Sequence, residues 1–290
     1  MNISINVDPL NQLGRPSPSV LKEMGFSWVR MVARPGAEWY ASQCIQSGLN
    51  IILLLARESF NSIPIPEQVA SYARYFPATI WQIGNEMDQQ GESSWSMTQD
   101  DYRGLVYSCV NSIHSVNPDA KIISGGLASG NPSWWTLDDL PIDGIAVHPY
   151  AKSAQEASVL LDQYRQVSSK PIYVTEWYRP PSEIQDFLEM LDGVELSCYF
   201  CYSDAMVMGF GLLDTNGNPK PEYWALREAM RQMGQLTDKV KLLETQQALT
   251  VAVMKLILQG RWTGEWPHAE GFLKAIDPAD TGWSVSVPKC

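Results

Sequence analysis

Eight short apolar runs, each followed by a polar turn and then by a stretch with helical spacing, constrain this chain more than any other feature. They are ISINVD (3–8), WVRMVA (28–33), NIILLLA (50–56), IWQIGNE (80–86), KIISGGLA (121–128), GIAVHPY (144–150), PIYVTEW (171–177) and LSCYFCY (196–202). Runs this short, rich in β-branched and aromatic residues and bounded by Gly, Pro, Asn or Asp, suit strands covered on both faces. Between them lie the helix candidates SPSVLKEMG, AEWYASQCIQSG, PEQVASYARYF, MTQDDYRGLVYSCVNSIHSV, AQEASVLLDQYRQV, SEIQDFLEML and PEYWALREAMRQMG. Ser17 or Ser19 is an N-cap, and Gly25, Gly48 and Gly193 are stops. NPSWWTLDDL, after the fifth run, is a weak helix. The rhythm matches a (β/α)8 barrel. A doubly wound sheet would carry a Gly-rich phosphate turn after its first strand, and NVDPLNQLGR is not one. The expected fold is therefore α/β: a (β/α)8 TIM barrel over residues 1–234, followed by a C-terminal helical extension and irregular tail over 235–290.

In that extension Leu236, Val240, Leu243, Gln247, Thr250, Met254 and Ile257 recur at steps of four and three. This is the spacing of a coiled-coil seam, which would make a homo-oligomer through residues 236–259. One amphipathic helix packed on the barrel is the equal alternative. The last thirty residues, rich in Gly, Pro and Trp, read as a tail for attachment.

Composition closes several classes of function. A net charge of -11 argues against phosphate backbones and anionic lipid, so no nucleic acid and no membrane partner is expected. The five cysteines are odd in number and form no paired CxxC motifs, which indicates neither zinc nor a disulfide framework. MNISINVDPL has no basic region followed by a long apolar one, and no window is apolar enough to span a bilayer. The expected location is a cytoplasm, with release by lysis or carriage on a virion as the variants.

Parallel barrel strands all point their C-terminal ends at one face, so residues at those ends converge on one pocket. Read in order, the ends offer Asp8, Arg30 with Arg34, Arg57 with Glu58, Asn85 with Glu86, Ser129 with Asn131, His148 with Tyr150, Glu176 with Trp177, and Tyr202 with Asp204. Two of these acids, Glu86 and Glu176, end the fourth and seventh runs. Paired carboxylates across a sugar-sized gap are what glycosidic cleavage needs: one protonates the leaving oxygen while the other attacks or stabilises the anomeric carbon. Arg30 beside Glu176 would keep that carboxyl ionised.

WQIGNEMD and YVTEWY resemble the two signature strands of the clan A retaining glycoside hydrolases, the TIM-barrel superfamily of cellulases, mannanases and xylosidases. Arg30, His148 with Tyr150, and the closing segment GFGLLDTNGNPKPEYWALREAM fit the same resemblance, which covers residues 1–232. It implies that Glu86 is the general acid/base and Glu176 the nucleophile, that Asn85 meets the sugar 2-hydroxyl, and that no metal or organic cofactor is needed. His148 and Tyr150 would orient the acids or line the sugar site. Trp81, inside its strand, reads as core, and Trp177 as the stacking residue. Many members carry a Trp at the end of strand eight; LSCYFCYSD offers Tyr199, Phe200 and Tyr202, of which Tyr202 is the candidate replacement. Trp39, Trp95, Trp134 and Trp135 are candidate outer sugar platforms. The expected partner is an oligosaccharide or polysaccharide. The competing readings are a non-catalytic glycan-binding or virion structural protein on a coiled-coil stalk, and a peptidoglycan-degrading lysin.

Overall fold

The computed structural model describes residues 2–60, 62–89, 97–129, 131–132, 139–191, 193–234, 243–245 and 247. The contacts divide the chain into two compact units, Met1–Arg231 and Gln232–Cys290. Apart from Leu243 and Gln247, the positions of the heptad seam lie outside the described residues, as do Trp95, Trp134, Trp135 and most of NPSWWTLDDL.

All eight apolar runs are strands: β1 (Asn2–Asn6), β2 (Trp28–Val32), β3 (Asn50–Leu55), β4 (Ile80–Ile83), β5 (Lys121–Ser124), β6 (Ile145–Val147), β7 (Ile172–Trp177) and β8 (Leu196–Tyr199). They form one sheet in the order β5-β4-β3-β2-β1-β8-β7-β6, with each adjacent pair parallel. Its two free edges meet through a parallel bridge between Ile123 and Gly144, and the Ala146 N–H donates to Ser124 Oγ at 2.9 Å. The sheet thus closes into a (β/α)8 TIM barrel.

Helices lie between most of the strands, two of them between β3 and β4: α1 (Pro18–Met24), α2 (Glu38–Gln46), α3 (Arg57–Phe60), α4 (Pro66–Tyr75), α5 (Gln99–His114), α6 (Ala154–Val167), α7 (Ile184–Met190) and α8 (221–234). Local chemistry sets their ends. Ser17 caps α1, whose chain leaves through Gly25 at φ 101, and a Thr98–Asp101 capping box opens α5. The single turn α3 was not expected; it takes Arg57 and Glu58 out of the strand-end set and leaves both exposed.

Inside the barrel the packing is layered. Trp28, Ile52, Ile80, Ile123, Ala146, Tyr173, Leu196 and Cys198 form an apolar floor. Above it, toward the C-terminal ends, the interior turns polar: Asn6, Arg30, Gln82 and Thr175 are all buried. The alternation of a strand explains the stacking, since Trp28 and Arg30, or Ile80 and Gln82, are two residues apart on one face.

Candidate active site

Two backbone irregularities aim the acids. β4 stops at Ile83, short of the expected IWQIGNE run, because the chain turns through Gly84 (φ 80) and Glu86 (φ 50). Positive φ is costly for a residue with a Cβ, and here the Glu86 N–H donates to Gly126 O at 2.8 Å and helps hold it. Asp88 pins the same turn, its two carboxylate oxygens accepting from the Ala128 and Ser129 N–H groups at 2.9 Å each. In β7 the register advances from Val174 opposite Ser197 to Trp177 opposite Tyr199, three residues against two. That extra residue is a bulge. It lets Thr175 and Glu176 both face the barrel interior and sends Trp177 outward.

Arg30 joins the pieces. Its Nε donates to Gln82 Oε1 at 2.6 Å, Nη1 to Asn6 Oδ1 at 2.6 Å and to Glu176 Oε1 at 2.8 Å, and Nη2 to Asn85 Oδ1 at 3.0 Å. His148 lies between the acids: Nδ1 is 3.2 Å from Glu86 Oε1, while Nε2 is 3.1 Å from Thr175 Oγ1 and 3.6 Å from Glu176 Oε1. Tyr150 donates its hydroxyl to Glu176 Oε2 at 3.0 Å, with the residue still 40% exposed at the rim. Gln89 donates its amide to Glu86 Oε2. One oxygen of each carboxylate and one His148 nitrogen lie within 4.8 Å of one another.

Electrostatics separate the two acids' surroundings. Burial by itself would raise the Glu176 carboxyl, but the charges of His148 and Arg30, with hydrogen bonds from Tyr150 and Arg30, outweigh it and hold the group below its ordinary range. Burial of the Tyr150 hydroxyl, together with the charge of Glu176, pushes that phenol well above its ordinary value, so it stays protonated and donates. Glu86, His148 and Glu176 also form a set that could approach a metal ion. The guanidinium 2.8 Å from Glu176 already supplies the balancing positive charge and would repel a cation there.

The structure brings six of the eight expected site residues together: Arg30, Asn85, Glu86, His148, Tyr150 and Glu176. Trp177 and Tyr202 lie elsewhere. Trp177 is fully buried behind the sheet, its ring 4.6 Å from Phe187 of α7 and 5.0 Å from Tyr199, because the bulge reverses its face. Tyr202 is buried as well, and that burial, with Tyr223 nearby, pushes its phenol above the ordinary value. Phe200, just past the end of β8, is half-buried, with its ring 5.9 Å from that of Phe210.

Residues not singled out from the sequence complete the cluster: Asn6, Gln82, Thr175, Asp88, Gln89 and Gly126. Asn6 and Gln82 had a legible signal, a polar side chain at an inward position of an apolar strand. Gly126 had none. A Cβ there would stand 2.2 Å from His148 Cδ2, so only glycine leaves room for the imidazole.

Solved structures of similar fold include glycoside hydrolases of several families. GH5_18 from Streptomyces cattleya, in complex with GlcNAc, is 15% identical, covers 80% of each chain and superposes with a TM-score of 0.63. A psychrophilic family 10 endo-beta-1,4-xylanase is 17% identical over 78% of this chain and 96% of its own, with a TM-score of 0.55. The exo-beta-1,4-mannosidase Op5Man5 from Opitutaceae bacterium strain TAV5 is 15% identical over 81% of this chain and 60% of its own, with a TM-score of 0.57. At these identities the likeness is one of fold. No protein-family model matches the chain, and no curated protein matches it in sequence.

Proposed function

We propose that the protein is a retaining β-glycoside hydrolase acting on an oligosaccharide or polysaccharide, with Glu176 as nucleophile and Glu86 as acid/base. The observation that carries this reading is the close approach of the two carboxylates, with oxygens within 4.8 Å. Inverting enzymes need a gap of roughly 6.5–9.5 Å to seat a water, whereas retaining ones have roughly 5–5.5 Å. The fold shared with glycoside hydrolases supports the same class.

The chemistry follows from the contacts. Glu176, held ionised by Arg30 and Tyr150, attacks the anomeric carbon as Glu86 passes a proton to the leaving oxygen. A covalent glycosyl ester forms on Glu176, whose negative charge disappears. Glu86, now a carboxylate, takes a proton from water, which attacks the same carbon and restores Glu176. Asn85, its Oδ1 fixed by Arg30, presents its amide N–H to the 2-hydroxyl, where bonding strengthens in the transition state.

Reducing-sugar release from β-glucan, mannan, xylan, galactan and peptidoglycan tests the reading. Glu176→Ala is expected to lose activity by about 10⁴-fold or more on the accepted substrate. Azide with an activated β-glycoside should then give the α-glycosyl azide, and with Glu86→Ala the β-glycosyl azide. Tight glycan binding without cleavage by the unaltered protein would make it a glycan-binding barrel instead. Activity indifferent to Glu176 would sink the site assignment.

A further inference from the structure

Above the layer of Asn6 and Arg30, the same two strands lead to a second and more open ion pair. Asp8 follows Asn6 by two positions, so at ~3.3 Å per residue it stands about 7 Å nearer the mouth. Arg34 follows Arg30 by four, and its Nη2 donates to Asp8 Oδ1 at 2.5 Å, with the side chains 27% and 25% exposed. The two arginines are used differently. Arg30 donates to four partners, whereas Arg34 engages one of its N–H groups among the described residues, out of the five a guanidinium carries. Asp8 Oδ1 also accepts the Leu10 N–H at 3.0 Å, and Oδ2 has no hydrogen-bond partner among the described residues. A spare acceptor therefore sits beside spare donors, partly open to solvent.

The adjoining chain fixes an aromatic face beside this pair. Pro9 O accepts from Arg15 Nη1 at 3.1 Å, and the Arg15 guanidinium lies 4.7 Å from the centroid of Trp39. Tyr40 meets the indole edge-on at 5.8 Å. Trp39 lies in the first turn of α2, just after the loop that carries Arg34, and remains 44% exposed although it is held from two sides. An ordered, exposed indole next to charged hydrogen-bonding groups suits a sugar ring, which has an apolar C–H face and a hydroxylated edge.

We infer that Asp8, Arg34 and Trp39 form a second sugar subsite on the non-reducing side of the reacting unit. The inference rests on the glycosidase reading above. With the anomeric carbon between Glu86 and Glu176 and the 2-hydroxyl at Asn85 beside Arg30, the reacting sugar extends over β2 and β1, toward Asp8 and Trp39. The Asp8 carboxylate accepts from, and the Arg34 guanidinium donates to, hydroxyls of the next unit, and the indole stacks on its C–H face. A site that pays to bury polar groups against hydroxyls rejects ligands that lack them. The substrate class is a β-linked glycan with at least two sugar units ahead of the scissile bond.

The test compares 4-nitrophenyl β-glycosides of glucose, mannose and xylose with those of their β-1,4-linked disaccharides. For the sugar accepted, kcat/KM is expected to be at least tenfold higher for the disaccharide glycoside. That ratio should fall toward one in Asp8→Asn, Arg34→Met and Trp39→Ala, and stay near the unaltered value in Trp39→Phe, with melting temperatures showing that each variant folds. A ratio near one in the unaltered protein, or a ratio preserved in all three variants, overturns the subsite alone. Absence of turnover on every glycoside overturns the glycosidase reading and the subsite with it.

Discussion

A carboxylate as buried as Glu176 is costly to ionise, and Arg30 is the partner whose loss would expose that cost. Arg30→Met would leave the carboxylate without its guanidinium and Asn6, Gln82 and Asn85 without a shared donor. Breaking a buried pair in this way costs about 3–5 kcal/mol, readable as a lower urea midpoint. The sign of the pH dependence follows from the lowered carboxyl. Its ionised form stabilises the fold above the ordinary value of 4.5, and that contribution is lost as the pH falls through the lower folded value. Unfolding of Glu176→Gln should therefore be less sensitive to acid than that of the unaltered protein in this window. Tyr150→Phe removes a donor to the ionised form. Its acidic limb of kcat/KM should move to higher pH, with a loss of about ten- to a hundredfold at the optimum, as expected for a hydrogen bond to a charged group. An unmoved limb would mean that the Tyr150 hydroxyl does not sense the nucleophile's charge.

Elements decide which residues reach the cluster, and here the reading from sequence succeeded and failed for identifiable reasons. Eight strands were legible because each is buried on both faces and so appears as an apolar run. Glu86 and Glu176 were legible because a charged residue at the end of such a run has little structural purpose. Trp177 was misread because a bulge shifts the side-chain alternation by one, and Val-Thr-Glu-Trp has the composition of any strand. Tyr202 was misread because the ladder of β8 ends at Tyr199, three residues earlier. Trp177→Ala is expected to cost about 3–5 kcal/mol, the range for emptying a packed aromatic site. A change in KM for sugar without that loss would return Trp177 to the cleft. Gly126→Ala tests how β5 serves β6. The added methyl would displace His148, so activity should fall at least about a hundredfold, while the exposed and distant Gly104→Ala, which meets no atom within 4 Å, should leave it unchanged.

Across the whole barrel the strands are not equally joined. β2 and β3 are paired at five successive registers, from Trp28 with Asn50 to Val32 with Leu54. β5 and β6 share no such ladder: they are joined by the Ile123–Gly144 bridge, by backbone bonds from Ser124 N–H to Gly144 O at 3.1 Å and from Asp143 N–H to Ile122 O at 2.6 Å, and by side-chain bonds from Ala146 N–H to Ser124 Oγ and from Ile122 N–H to Asp143 Oδ2. A closed barrel has no edge, but its weakest seam is where an edge appears first. Native-state hydrogen exchange should show the Ser124 and Ala146 amides opening with less free energy than those of Arg30, Ile52 or Leu53. Ser124→Ala should widen that difference by about 1 kcal/mol, the net worth of one hydrogen bond. The seam also separates Glu86, which the β4 and β5 ends hold, from His148, which β6 carries. Loosening it should therefore lower kcat before it lowers the melting temperature appreciably. Equal protection on both sides of the barrel would contradict this account, since it would require the β5–β6 join to be as strong as a full ladder.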